Sequence, residues 1–226
     1  MRPLEIIKTS DDSSSIYVPE IDETYHSVNG AVQESLHIFI NLGLNNYIDK
    51  NCELSTVNIF EMGFGTGLNA LLSVIEAEKQ NVCINYVTCE KYVLTKDYYS
   101  QLNYPKILNV DDDIFMLLHE CAWNQKVNLT DNFTITKMQE DINNLDFSMF
   151  PQFNVIYYDA FSPSKQPELW NENILSKMYN ILINSGLLAT YCAKNAFKKT
   201  LRNIGFEVNN YPGPPGKREV TVAVKP

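Results

Sequence analysis

An acidic residue closes each of three apolar runs: Glu90 after residues 84–89, Glu140-Asp141 after 133–138, and Asp159 after 154–158. A fourth run, Val57-Asn58-Ile59-Phe60, leads into Glu61-Met62-Gly63-Phe64-Gly65-Thr66-Gly67. Gly63, Gly65 and Gly67 let the backbone turn tightly around Thr66 and let a ligand approach with no Cβ in the way. The spacing is not G-x-G-x-x-G and no P-loop lysine follows, which disfavours a phosphate cradle. Glu90 lies about 20 residues beyond the glycines, where a carboxylate can accept both hydroxyls of a ribose. Asp141 stands where a carboxylate can accept the exocyclic amine of an adenine. It equally suits the cap of a helix that starts ahead of Ile142.

The longest chemical signal is Tyr157-Tyr158-Asp159-Ala160-Phe161-Ser162-Pro163-Ser164-Lys165-Gln166-Pro167-Glu168-Leu169-Trp170. Asp159 at the end of an apolar run, before a Pro-punctuated loop, can orient an incoming amine or take its proton. Lys165 can steer an anionic substrate or simply be a solvated loop lysine. Trp170 reads as packing on a helix face, and His26 as a packed or capping histidine. Acids at all three strand ends match a ligand that carries hydroxyls, an amine and a sulfonium but no phosphate. S-adenosyl-L-methionine fits that description and NAD does not.

The elements that must hold these residues alternate. Residues 29–44 have helical periodicity, with Val32, Leu36, Phe39 and Ile40 on one face. Strands at 57–60, 84–90, 133–138, 154–158 and 187–191 alternate with helices at 68–79, 93–123 (broken near Pro105), 167–184 and 195–204. Strands at 206–211 and 219–224 close the chain around a Pro/Gly-rich loop, and residues 1–20 form an entry arm or short strands. Such alternation predicts an α/β, doubly wound, Rossmann-like sheet covered on both faces, with ligands beyond the carboxyl ends of the strands. The last loop is too short for a parallel crossover, so one closing strand runs antiparallel. The expectation is a seven-stranded, mostly parallel sheet in a single domain spanning 1–226, with residues 1–50 preceding the core.

The chain has 226 residues and a formal net charge of −9, which argues against non-specific nucleic-acid binding. Its cations cluster late: Lys194, Lys198, Lys199, Arg202, Lys217 and Arg218. They form either a local phosphate-binding patch or an ordinary solvated face. Five cysteines without CxxC spacing read as reduced core thiols, hence a cytoplasmic compartment. Three histidines and scattered cysteines make a zinc site unexpected. No signal peptide or membrane span is visible.

Four blocks together resemble the methyltransferase domain of the MnmC-like family, bacterial enzymes that complete 5-methylaminomethyl-2-thiouridine in tRNA. These are Asp22-Glu23-Thr24-Tyr25-His26-Ser27 with Gly30 and Glu34, the glycine block 61–67, the block 159–170, and Gly216-Lys217-Arg218-Glu219. The resemblance covers nearly the whole chain. It implies a class I methyltransferase fold and methyl transfer to the aminomethyl nitrogen of a wobble uridine. It also implies that Tyr25, Glu34, Glu90, Asp141 and Asp159 surround the cofactor and the target amine. The well-known bifunctional members carry a fused flavin-dependent domain that makes the amine. This sequence stops at Pro226, so a separate enzyme is expected to supply it. Two other readings stay open: a small-molecule amine methyltransferase or aminopropyltransferase of the same fold, and a non-catalytic nucleoside- or RNA-binding module.

Overall fold

The computed structural model of the chain describes residues 3–226; Met1 and Arg2, the start of the expected arm, lie outside the described residues. The arm folds as β1 (Glu5–Lys8), β2 (Ser14–Val18) and β3 (Glu23–Thr24), a separate three-stranded antiparallel sheet. One continuous helix follows, α-helical over α1 (Ala31–Ser35), π-helical over Leu36–Asn45, and α-helical again over α2 (Asn46–Lys50). It buries Val32, Phe39, Ile40 and Leu44. The apolar periodicity located this helix but did not distinguish its wider π winding.

The core then runs β4 (Thr56–Met62), α3 (Leu68–Gln80), β5 (Cys83–Cys89), α4 (Lys96–Tyr99), α5 (Tyr104–Leu108) and α6 (Asp112–Glu120). It continues with β6 (Lys126–Asn128), β7 (Phe133–Met138), β8 (Phe153–Tyr158), α7 (Glu172–Ile181), β9 (Leu182–Thr190), α8 (Asn195–Ile204), β10 (Glu207–Pro212) and β11 (Glu219–Val224). Pro105 lies in the first turn of α5, where its missing N–H costs nothing. Asn171 caps α7 by accepting from the Ile174 N–H at 3.1 Å. The stretch 167–169 is a separate 3-10 turn, so α7 starts later than its apolar pattern suggested, and residues 182–186 belong to β9 rather than to the helix.

The sheet has eight strands in the order β10-β11-β9-β8-β4-β5-β7-β6. β4 pairs in parallel with both β5 and β8, and parallel pairing extends to β7 and β9. β11 is antiparallel to both β9 and β10. The seven expected strands and their single reversed member are therefore present. The eighth, β6, is a three-residue strand that folds back antiparallel on β7, too short to carry a pattern.

Consecutive strand residues point to opposite faces, and both faces are covered. Ile59, Tyr86, Tyr157 and Leu187 pack under the 31–50 helix and α3, while Phe60, Val87, Tyr158 and Leu188 pack against α7 and α8. This is why β8 is buried along its whole length. Strand order departs in both directions from β4, which opens a crevice past its carboxyl end. Cys89, Cys121 and Cys192 are buried thiols, as expected, but Cys52 and Cys83 are exposed. Cys83 opens β5 at the sheet margin, outside the run that buries the rest of the strand.

Candidate active site

The turn after β4 is built from left-handed backbone: φ is +88° at Gly63, +51° at Gly65 and +74° at Gly67. A Cβ on Gly65 would meet the Tyr25 ring at 3.0 Å, and one on Gly67 would meet His119 Nε2 at 2.9 Å. Thr66 is clamped from behind. Its carbonyl lies 3.1 Å from His119 Nε2, and its hydroxyl accepts from Tyr104 Oη at 3.2 Å. His26 Nε2 reaches the same hydroxyl at 3.4 Å. Burial lowers both histidines, His26 to about 4 and His119 to about 3, so they serve as neutral packing and hydrogen-bonding groups.

Glu90, directly after β5, binds this turn from the other side. Its Oε2 accepts from the Gly65 N–H at 3.0 Å and its Oε1 from the Tyr92 N–H at 2.7 Å. Burial raises its carboxyl, and these backbone bonds work against the rise. Each oxygen keeps a lone pair free for a further donor. Asp141 lies across the cleft mouth. Lys91 Nζ sits 2.9 Å from its Oδ2, and its Oδ1 accepts from the Asn143 N–H at 2.9 Å. The Lys91 bond, then the Asn143 bond, hold Asp141 below the usual carboxylate range. Asp141 thus organises its own turn while facing the cleft.

Asp159 leaves β8 at the deep end. Its Oδ2 accepts from Asn69 Nδ2 of α3 at 2.8 Å. Burial pushes its carboxyl up to about 7; the Asn69 bond opposes this, Glu34 adds to it and Lys217 opposes it. Glu61 lies beneath, fully buried against Thr88, Tyr86 and Asn69, with neither carboxyl oxygen in hydrogen-bonding geometry. Burial first, and the nearby Asp159 charge after it, drive Glu61 well above the ordinary carboxylate range.

The loop that follows Asp159 is fixed from below by side-chain donors. Tyr191 Oη donates to the Ala160 carbonyl at 2.7 Å, Trp170 Nε1 donates to the Phe161 carbonyl at 2.8 Å, and Tyr158 Oη donates to the Leu169 carbonyl. Trp170 is buried, in keeping with its reading as packing. From above, Tyr25 packs edge-on against Phe161 with ring centroids 5.0 Å apart, and Ser162 Oγ donates to Glu23 at 2.8 Å.

These groups line one cleft of about 440 Å³. It brings together Tyr25, Glu34, Gly63, Gly65, Thr66, Glu90, Asp141 and Asp159, together with Lys165 and Lys217. Glu61 and Gly67 do not line it: Glu61 supports it from beneath, and Gly67 caps α3. Among the late cations the patch expectation needs correction. Lys198 is only 4% exposed, with Nζ 2.9 Å from Glu219 Oε1 and 3.3 Å from Asn210 Oδ1, so it cannot meet a phosphate. It shares the buried stripe of α8 with Phe197 and Leu201, a position its spacing from those residues already encoded. Arg202 and Arg218 are exposed and lie outside the cleft lining. Sequence reading missed Asn69 and Tyr191. Asn69 is a buried polar residue in an otherwise apolar first turn of α3, and Tyr191 directly follows β9, whose carboxyl end opens on the cleft.

A glycine turn open to close approach, a carboxylate with free lone pairs beyond β5 and a half-buried acid beyond β8 line this one cleft. Fold and cleft together define a class I methyltransferase. A family model described as S-adenosyl-L-methionine-dependent methyltransferase matches residues 113–226, half of the chain. The chain belongs to this family, and S-adenosyl-L-methionine is its cofactor. It is similar to the tRNA 5-methylaminomethyl-2-thiouridine biosynthesis bifunctional protein MnmC of Legionella pneumophila (strain Philadelphia 1), with 30% identity over 92% of this chain and 34% of the relative. The protein of that name from Actinobacillus pleuropneumoniae serotype 5b is 27% identical over 100% of this chain and 36% of the relative. The chain therefore spans about a third of the length of the curated relatives it matches. The crystal structure of MNMC2 from Aquifex aeolicus superposes with a TM-score of 0.81 at 24% identity, covering 100% of this chain and 72% of that one.

Proposed function

We propose that this chain methylates the aminomethyl nitrogen of a wobble uridine in tRNA, acting as a single methyltransferase domain preceded by the arm and helix of residues 1–50. The observation that carries the reading is Asp159: a carboxylate at the deep end of the cofactor cleft, oriented by Asn69 and raised to about 7. The names of the MnmC relatives support the choice of acceptor. Tyr25, Glu34, Glu61, Gly63, Gly65, Thr66, Gly67, Glu90 and Asp141 form and support the cofactor side.

The bound cofactor supplies an electrophilic methyl group on a sulfonium. Transfer is an in-line displacement, so the acceptor nitrogen must arrive with its lone pair free and aligned. Asp159 can accept a hydrogen bond from that amine and hold it in line. With its carboxyl near neutrality, it can also take the proton that the methylated nitrogen loses. The fixed loop 160–170 and the Tyr25–Phe161 pair restrict how the acceptor enters. The exposed cations Lys194, Lys199, Arg202 and Arg218 offer the tRNA backbone a local field against the net charge of −9. In this reading a separate enzyme makes the amine, and the reaction is cytoplasmic.

The test is partition of label. Purified protein and methyl-labelled cofactor are given tRNA bearing the unmethylated aminomethyl group, together with free polyamines. Label in the wobble nucleoside supports the proposal; label in polyamines and never in tRNA replaces it with a small-amine transferase.

A further inference from the structure

The loop between β10 and β11 is locked against the start of the chain. His37 Nε2 lies 2.8 Å from the Pro212 carbonyl, and a Cβ on Gly216 would fall 2.0 Å from Asn29 Nδ2. The Lys217 N–H donates to the Pro214 carbonyl at 2.9 Å, and a Cβ on Gly213 would lie 2.4 Å from the Lys217 carbonyl oxygen. This closed loop delivers the Lys217 side chain into the cleft rather than to the surface. Its ammonium sits 2.6 Å from Glu34 Oε1, an ion pair outside hydrogen-bond angles, and 4.9 Å from the centre of the Tyr191 ring. The Tyr191 hydroxyl in turn holds the carbonyl of Ala160, the residue after Asp159. Glu34 is fixed independently, since its Oε2 accepts from the Ser27 N–H at 3.0 Å.

We propose that Lys217 is a positioning residue of the methyl-acceptor end, which with Glu34 sets the charge of the Asp159 carboxylate from opposite sides. The inference rests on the reading that Asp159 faces the acceptor nitrogen. The ionisable groups that share the cleft with Asp159 or act on it come from several elements: Glu23 from β3, Tyr25 after it, Glu34 from α1, Glu61 from β4, Tyr86 from β5, Lys165 from the loop after β8, Tyr191 after β9 and Lys217 from the last loop. Burial raises Glu61, Tyr86 and Tyr191 alike, which disfavours a charge on each of them. Burial dominates the rise of Asp159 and the Asn69 bond opposes it; Glu34 and Lys217 are the charges that act on it after these, one raising and one lowering it. They also cancel each other's reach into the cleft, so the acceptor amine meets Asp159 as its main partner.

The test is a carboxyl titration by carbon NMR of the whole chain labelled at aspartate, with the Asp159 signal assigned from Asp159→Asn. Lys217→Met is expected to move the Asp159 midpoint up by about one pH unit, the low end for loss of an opposite charge. Glu34→Gln should move it down, Lys217→Arg should hold it, and Lys217→Met with Glu34→Gln should return it towards wild type. The acidic limb of methyl transfer to aminomethyl tRNA should follow the same order, with tRNA KM little changed. A midpoint that stays put in all variants, with a raised tRNA KM in Lys217→Met, would make Lys217 a phosphate contact and overturn the proposal. Failure of the wild type to methylate the tRNA would sink the substrate reading alone, since the titration still decides the role of Lys217.

Discussion

Replacing Asp159 by Asn keeps the side chain's shape and its bond from Asn69 and removes the charge. Burial raises the Asp159 carboxyl from 3.8 to about 7, so between those values the folded chain holds a proton that the unfolded chain releases. Stability from this group is complete below the unfolded value and is lost as pH rises through the folded one. The gap corresponds to roughly 4 kcal/mol at face value. Asp159 keeps part of its surface towards the cleft, and solvent screening there brings the figure to about 2 kcal/mol. In a domain of this size that is about 4–8 °C in Tm. The expected result is an Asp159→Asn melting curve that overlays wild type near pH 4, diverges between pH 4 and 7, and stays higher above it. The variant should also have lost methyl transfer while still binding cofactor. If the two proteins melt together from pH 4 to 8, or wild type is the more stable at pH 8, burial does not raise the Asp159 carboxyl.

Other consequences are as direct. Glu90→Gln should weaken S-adenosyl-L-methionine by about 1.5–3 kcal/mol in calorimetry, through loss of a charged acceptor for the ribose; unchanged affinity would remove Glu90 from the site. Gly65→Ala places a Cβ 3.0 Å from the Tyr25 ring on backbone with φ +51°, so cofactor binding should fall and Tm should drop, by about 1–2 kcal/mol for the backbone alone. Lys198→Met breaks the pair with Glu219 and should lower stability by about 2 kcal/mol in denaturant titration. Arg202→Glu, at an exposed position, should leave stability alone and raise the tRNA KM at low salt. The opposite pattern for Lys198 and Arg202 would restore the patch as first read.

The sequence was most legible where one residue type has one local job. Glycines at 63, 65 and 67 are required by left-handed backbone at all three, and the acids Glu90 and Asp159 close strands whose apolar runs are unambiguous. It was less legible where a role depends on a partner distant in the chain. Lys198 and Lys217 are both late lysines, yet one is buried on Glu219 and the other reaches Glu34, far away in sequence. Asn69 has no motif of its own; only the fold shows that it faces Asp159 across 90 residues. Strand β6 escaped because three residues cannot carry a period, and the π winding of 36–45 escaped because burial marks the same face in either helix.

The reading of the cleft turns on one nitrogen atom in one nucleoside. The measurement is nucleoside mass spectrometry of tRNA from cells lacking this protein, and from the same cells given back the wild type or Asp159→Asn. The expected result is 5-aminomethyl uridine accumulating at the wobble position, converted to its N-methyl form by the wild type and not by Asp159→Asn. Unaltered N-methylated wobble uridine in the cells without the protein would contradict it.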